Sequence, residues 1–88
     1  MTLDTLAPGI AALVSKVAWD ELEPGEARRL RALGMDTGAQ VSVEHRGVFG
    51  TRDPLAVRLG GTMLALRRSH ALAISVDISD DAPVEAQR

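Results

Sequence analysis

Residues 54 to 67 read PLAVRLGGTMLALR, and the fold class turns on this stretch. Leu55, Val57 and Leu59 alternate with Ala56 and Arg58, then Leu64 and Leu66 resume the same period after Gly60-Gly61. A period of two puts successive side chains on opposite faces of a strand, and paired glycines supply the positive φ that tight hairpin turns require. The stretch therefore predicts a β-hairpin with one face buried.

Working outward, residues 39 to 46, AQVSVEHR, carry the same period: Val41 and Val43 face one way, Gln40, Ser42, Glu44 and Arg46 the other. Ile74, Val76 and Ile78 alternate with Ser75 and Asp77 to give a last strand, and Ser69 is placed to cap a single helical turn from His70 to Ala73. Towards the N-terminus Ala12 and Val14 alternate, but the next apolar residue is Val17, three positions on. A β-bulge at Ser15 and Lys16 restores the facing and bends the strand.

Residues 24 to 34, PGEARRLRALG, break the strand period. Pro24 suits the first turn of a helix and Gly34 the left-handed residue that ends one. Ala27, Leu30 and Leu33 are expected on the core side, leaving Arg28, Arg29 and Arg31 on the polar sides. The expected architecture is mostly β: one domain over residues 1 to 80, a small SH3-like barrel of about five strands, one short α-helix and a single-turn helix. The sheet is expected to close on itself to satisfy its edges. Residues 81 to 88 have little to bury and are expected to fray.

A chain of 88 residues, 45% hydrophobic and 25% charged, is sized for one modest core. It has no cysteine, which excludes disulfides, thiolate metal sites and cysteine nucleophiles. The start, MTLDTLAPGIAALVSKVA, carries Asp4 where an export signal needs positive charge, and Pro8, Gly9 and Ser15 interrupt its apolar run. No export signal and no membrane-inserted segment are expected. The net charge of −2 argues against nucleic acid as the partner.

Catalytic motifs are missing. A phosphate-cradling loop needs a lysine after its glycine, and the single lysine, Lys16, follows no such pattern. Gly47 and Gly50 in RGVFG suit turns in a long hairpin loop. His45 and His70 do not have the spacing of zinc ligands and are expected at the surface, so no metal ligand, cofactor or catalytic residue is assigned. Two features remain. The Arg28, Arg29 and Arg31 trio is either a solvated helix face supported by Glu23 and Glu26 or a dock for an acidic partner, since arginine forks hold carboxylates bidentately. Ile10, Ala11 and Leu13 are apolar where a half-buried strand should alternate, so Ile10 or Leu13 is either exposed for association or covers the helix.

Taken together, LDTLAPG at 3 to 9, the helix RRLRALGM at 28 to 35, TGAQVSVEHR, then FG, DPLAVRLGGTMLALRRSHA and ISVD resemble the FeoA family, from about Leu3 to Asp77. The resemblance implies an SH3-like barrel without catalysis. It would act in ferrous iron uptake by binding and modulating the cytoplasmic GTPase region of the transporter FeoB, at the inner face of the membrane. Similar barrels end iron-dependent repressors, which supplies an alternative: a metal-responsive regulatory domain. Thr51 and Arg52 stand as an insertion relative to the family, and Ile10, Ala11 and Leu13 replace commonly polar positions, which points to a weak homodimer.

Overall fold

The computed structural model describes residues 1–46 and 54–78, without the side chains of His45 and Arg46. Five strands, β1 (Ala11–Val17), β2 (Gln40–Arg46), β3 (Leu55–Leu59), β4 (Thr62–Leu66) and β5 (Ile74–Ile78), form one antiparallel sheet in the order β4-β3-β2-β1-β5. Two helices join it, α1 (Pro24–Leu33) and α2 (Arg68–Ala71), with 3-10 turns at Leu3–Thr5 and Trp19–Glu21 that the strand period does not announce.

The hairpin forms as expected, with Leu59 opposite Thr62 across the two glycines. Gly60 has φ 58°, the first-position requirement of a type II′ turn, whose twist matches that of the flanking strands. The β1 register shifts between Val14 and Lys16 against β5, so the bulge expected from the Ala12, Val14, Val17 spacing is present, and all three of those side chains are buried. A second bulge shifts β2 against β3 between Val43 and His45. Each bulge adds local bend and twist.

The sheet is SH3-like in class but open, which corrects the expected closure. β4 and β5 lie at opposite edges. The outer side of β5 is taken by residues 1 and 2 instead: Val76 N–H donates to the Met1 carbonyl at 2.8 Å, and Thr2 bridges Ser75.

Leu30 from α1 joins Ala12, Val14, Val41, Val43, Val57, Leu66, Ile74 and Val76 in a single buried cluster. Leu33, expected on the core side, is 36% exposed. Each step of three residues falls about 60° short of a full turn, so from Ala27 to Leu33 the spacing drifts about 120° around the helix. Met35 fills that role from beyond the helix end. Gly34 adopts φ 102°, Gly34 N–H donates to the Arg31 carbonyl, and Met35 N–H donates to the Leu30 carbonyl at 2.9 Å. These are the paired bonds of a Schellman motif, and they turn Met35 back into the core, where it is fully buried.

Two smaller expectations also change. The α2 turn begins at Arg68 with Arg67 at its cap, so Ser69 lies inside it and makes no capping bond. The chain turns directly after the last ladder pair, Leu55 with Leu66, two residues earlier than a cap at Ser69 needs. Ile78, the last residue of β5, is exposed although its ladder partner Ala12 is buried.

Candidate partner-binding surface

Helix α1 holds the three arginines, and the structure gives them three different situations. Arg29 is committed. Its Nε and Nη2 donate to the two Glu26 carboxylate oxygens at 3.1 and 2.8 Å, and Nη2 also reaches the Ala65 carbonyl on β4 at 3.3 Å. A fork of this kind fixes the guanidinium plane, so Arg29 acts as a brace between α1 and the edge of the sheet. The bond from Arg29 holds the Glu26 carboxyl below its usual range against the opposing effect of partial burial, and the same bond raises Arg29.

Arg31 lies over the single tryptophan, Trp19, with Cζ 4.4 Å from the ring centroid. The contact is a cation–π stack, worth about 0.5–1 kcal/mol at an exposed site. It joins α1 to the 3-10 turn before it. Arg28 is exposed and makes no ion pair among the described residues. Arg28 and Arg31 are three apart and neighbour each other on the helix surface. The trio thus divides into one structural residue and two that face outward, one of them pre-oriented on an aromatic ring.

His70, expected at the surface, is half-buried instead. The α2 turn carries its Nδ1 to 3.4 Å from Glu26 Oε2, and the nearby imidazole contributes to lowering Glu26. The cluster of Glu26, Arg29 and His70 joins α1 to α2, which lie far apart in sequence, so spacing along the chain carried no sign of His70's place in it. Asp4, a buried carboxyl, was likewise not anticipated: it accepts a hydrogen bond from Thr2 Oγ1, and Arg68 Nε lies 3.8 Å away. These contacts fasten the Leu3–Thr5 turn to α2. Among the described residues no group of three or more His, Asp or Glu is placed to hold a metal ion.

Ile10 and Leu13 are both exposed, at 37% and 39%, and Ala11 is half-buried. Leu13 pairs with Gln40 on one side and Asp77 on the other, which places it on the outer face of the sheet, away from the arginines of the helix. Gly47, Gly50, Thr51 and Arg52, and the tail from residue 81, lie outside the described residues.

An open five-stranded SH3-like sheet with one bracing helix can be compared with known proteins. The family model of the FeoA domain matches residues 1–78. The chain belongs to the FeoA family. Two solved FeoA structures are similar in sequence as well as fold. The Stenotrophomonas maltophilia FeoA is 39% identical, with a TM-score of 0.71, covering 88% of this chain and 89% of that one. It is described as a zinc complex of a procaryotic SH3 domain protein and a candidate activating factor for bacterial ferrous iron transport. The FeoA protein of Chlorobium tepidum is 35% identical, with a TM-score of 0.77, covering 94% of this chain and 77% of that one.

Two further likenesses show the fold alone. The iron(II) transport protein A of Clostridium thermocellum is 23% identical with a TM-score of 0.74 over 89% of this chain, and the chain spans 45% of its length. A manganese-dependent transcriptional repressor is 19% identical with a TM-score of 0.71, covering 90% of this chain and 41% of that one. No curated protein sequence matches significantly. Among the described residues no helix is long and apolar enough to cross a membrane.

Proposed function

We propose that this FeoA-family chain is a non-catalytic accessory protein of ferrous iron uptake, working in the cytoplasm by binding the GTPase region of FeoB. Its family membership supports a role in ferrous iron transport. The observation that carries the docking site is the division among the arginines: Arg29 is bound to Glu26, while Arg28 is unpaired among the described residues and Arg31 is held on Trp19. An arginine already ordered by stacking loses less rotamer freedom when it meets a carboxylate, and tryptophan and arginine are the residues that concentrate binding energy at interfaces. The proposed contact is therefore the Arg28 and Arg31 side of α1 against an acidic surface of FeoB. The alternative, a metal-responsive regulatory domain, has only fold-level likeness to a repressor behind it.

The test is calorimetric titration of the FeoB cytoplasmic domain with the wild type and with an Arg28→Glu, Arg31→Glu double variant. The expected loss is at least about tenfold in affinity, steeper at low salt, with the melting temperature lowered by no more than the few degrees that loss of the Arg31–Trp19 stack accounts for. Wild-type affinity in that variant at both low and physiological salt would move the interface to Ile10 and Leu13.

A further inference from the structure

The two edges of the open sheet are treated differently by the chain. The β5 edge is covered by residues 1 and 2, as described above. The β4 edge, TMLAL, has no strand beside it among the described residues and contains no charge, no proline and no bulge. Those are the devices with which proteins discourage strand pairing at an edge.

The register shows which backbone groups face outward. Residues flanking a two-residue turn exchange hydrogen bonds, so Leu59 with Thr62, Val57 with Leu64 and Leu55 with Leu66 are the bonded pairs, and Met63 and Ala65 direct their N–H and C=O groups away from β3. Arg29 confirms this by reaching the Ala65 carbonyl from outside. The Met63 N–H, the Met63 carbonyl and the Ala65 N–H remain. Beside them Met63 is 45% exposed. A shallow cavity of about 190 Å³ lined by Ala56, Met63, Leu64 and Ala65 opens next to it, because two alanines stand where larger side chains would fill the outer face.

We propose that this edge is a self-association surface, on which a second copy of the chain adds its own β4 antiparallel about a two-fold axis at Met63. In that register Met63 N–H and carbonyl bond to the same groups of the other Met63, and Ala65 falls opposite the other copy's Gly61, whose carbonyl takes the Ala65 N–H while Arg29 keeps the Ala65 carbonyl. The two Met63 side chains face each other, and each lies one diagonal step from the other copy's Ala65, within reach of the cavity. Charge favours the same occupant. Arg58, the cross-strand neighbour of Met63, is already paired with Glu44 at 3.2 Å, and Arg29 and Arg67 of the two copies fall at opposite ends of the joined strands. A five-residue strand gives few bonds, so the association is concentration-dependent and reversible.

Sedimentation equilibrium from about 10 μM to about 1 mM reads the result directly. The wild type is expected to dimerise across that range. Met63→Lys places a charge at the axis, and Ala65→Pro removes only an outward N–H, which an edge position tolerates. Each should weaken dimerisation at least about tenfold, while Leu13→Lys, on the outer face away from this edge, leaves it unchanged. Met63→Lys changes no backbone bond, so it decides the matter if Ala65→Pro does not fold. A monomer at the highest concentration, a dimer indifferent to Met63→Lys, or a dimer abolished by Leu13→Lys would each overturn the proposal.

Discussion

Helix α1 contains one glycine and ends at another, and the structure assigns opposite signs to their replacement. Gly34 holds φ 102° at the helix stop, and a Cβ built on it meets nothing within 4 Å, so a side chain there is penalised by the backbone alone. The left-handed region costs an L-residue about 1–2 kcal/mol, and a β-branched residue sits towards the upper end or beyond it. Restricting the unfolded chain returns about 0.4–1 kcal/mol, which leaves Gly34→Val destabilising by about 1–2 kcal/mol. Gly34→Asn should cost less than Gly34→Val, since asparagine tolerates this region best among the others. Gly25 lies in the first turn of the same helix, with ordinary φ and equally open space around a built Cβ. Gly25→Ala therefore gains helix propensity without strain and should stabilise by about 0.4–1 kcal/mol. Thermal melts followed by circular dichroism resolve both, because 1 kcal/mol moves the midpoint of a domain this size by about 4–8 °C. Equal midpoints for Gly34→Val and wild type, or a lowered midpoint for Gly25→Ala, would refute the assigned helix end or helix start respectively.

The bond from Arg29 to Glu26 predicts a pH dependence. A carboxyl held below its usual range when folded adds stability that is fully present above the ordinary carboxylate range and is lost as the pH falls through its folded pKa, so a Glu26→Gln, Arg29→Met variant should lose less stability on acidification than wild type. Parallel denaturant titrations at neutral and acidic pH measure the difference, and equal losses would show that the bond does not form in solution. Leu30→Ala should cost about 2.7–5 kcal/mol because Leu30 is fully buried, whereas Leu33→Ala should stay within about 0.5 kcal/mol; urea unfolding separates them, and similar costs would mean that the helix is rotated from the orientation described.

Much of this fold was legible because it rests on local rules. Alternation in residues 39 to 46 and 54 to 67, the glycine pair and the Pro24 to Gly34 helix each encode their own geometry within a few residues. The bulge at Ser15 and Lys16 was visible because it disturbs that alternation at one point. Leu33 misled because a three-residue spacing only approximates a helical face, and Met35 was missed because a Schellman turn, not a period, brings it inward. The open sheet was missed for a related reason: whether an edge is closed by another strand or by a terminal segment depends on the path of the whole chain. The candidate surface was legible as a set of arginines and no further. The roles of Arg28, Arg29 and Arg31 follow from where Trp19, Glu26 and Ala65 arrive in space, and residue spacing along the chain does not report that.

The position of β1 between β2 and β5 also sets a timetable for synthesis. β1 is made early, and its β5 partner in the ladder follows about 60 residues later, an interval of roughly 3–12 s at typical elongation rates. Until then the β1 side that β5 will occupy, from Ala12 to Val17, has its backbone open while the hairpin of β3 and β4 can already form from neighbouring residues. The nascent chain thus carries an unfinished sheet until β5, the last of the described strands, adds the edge beside β1.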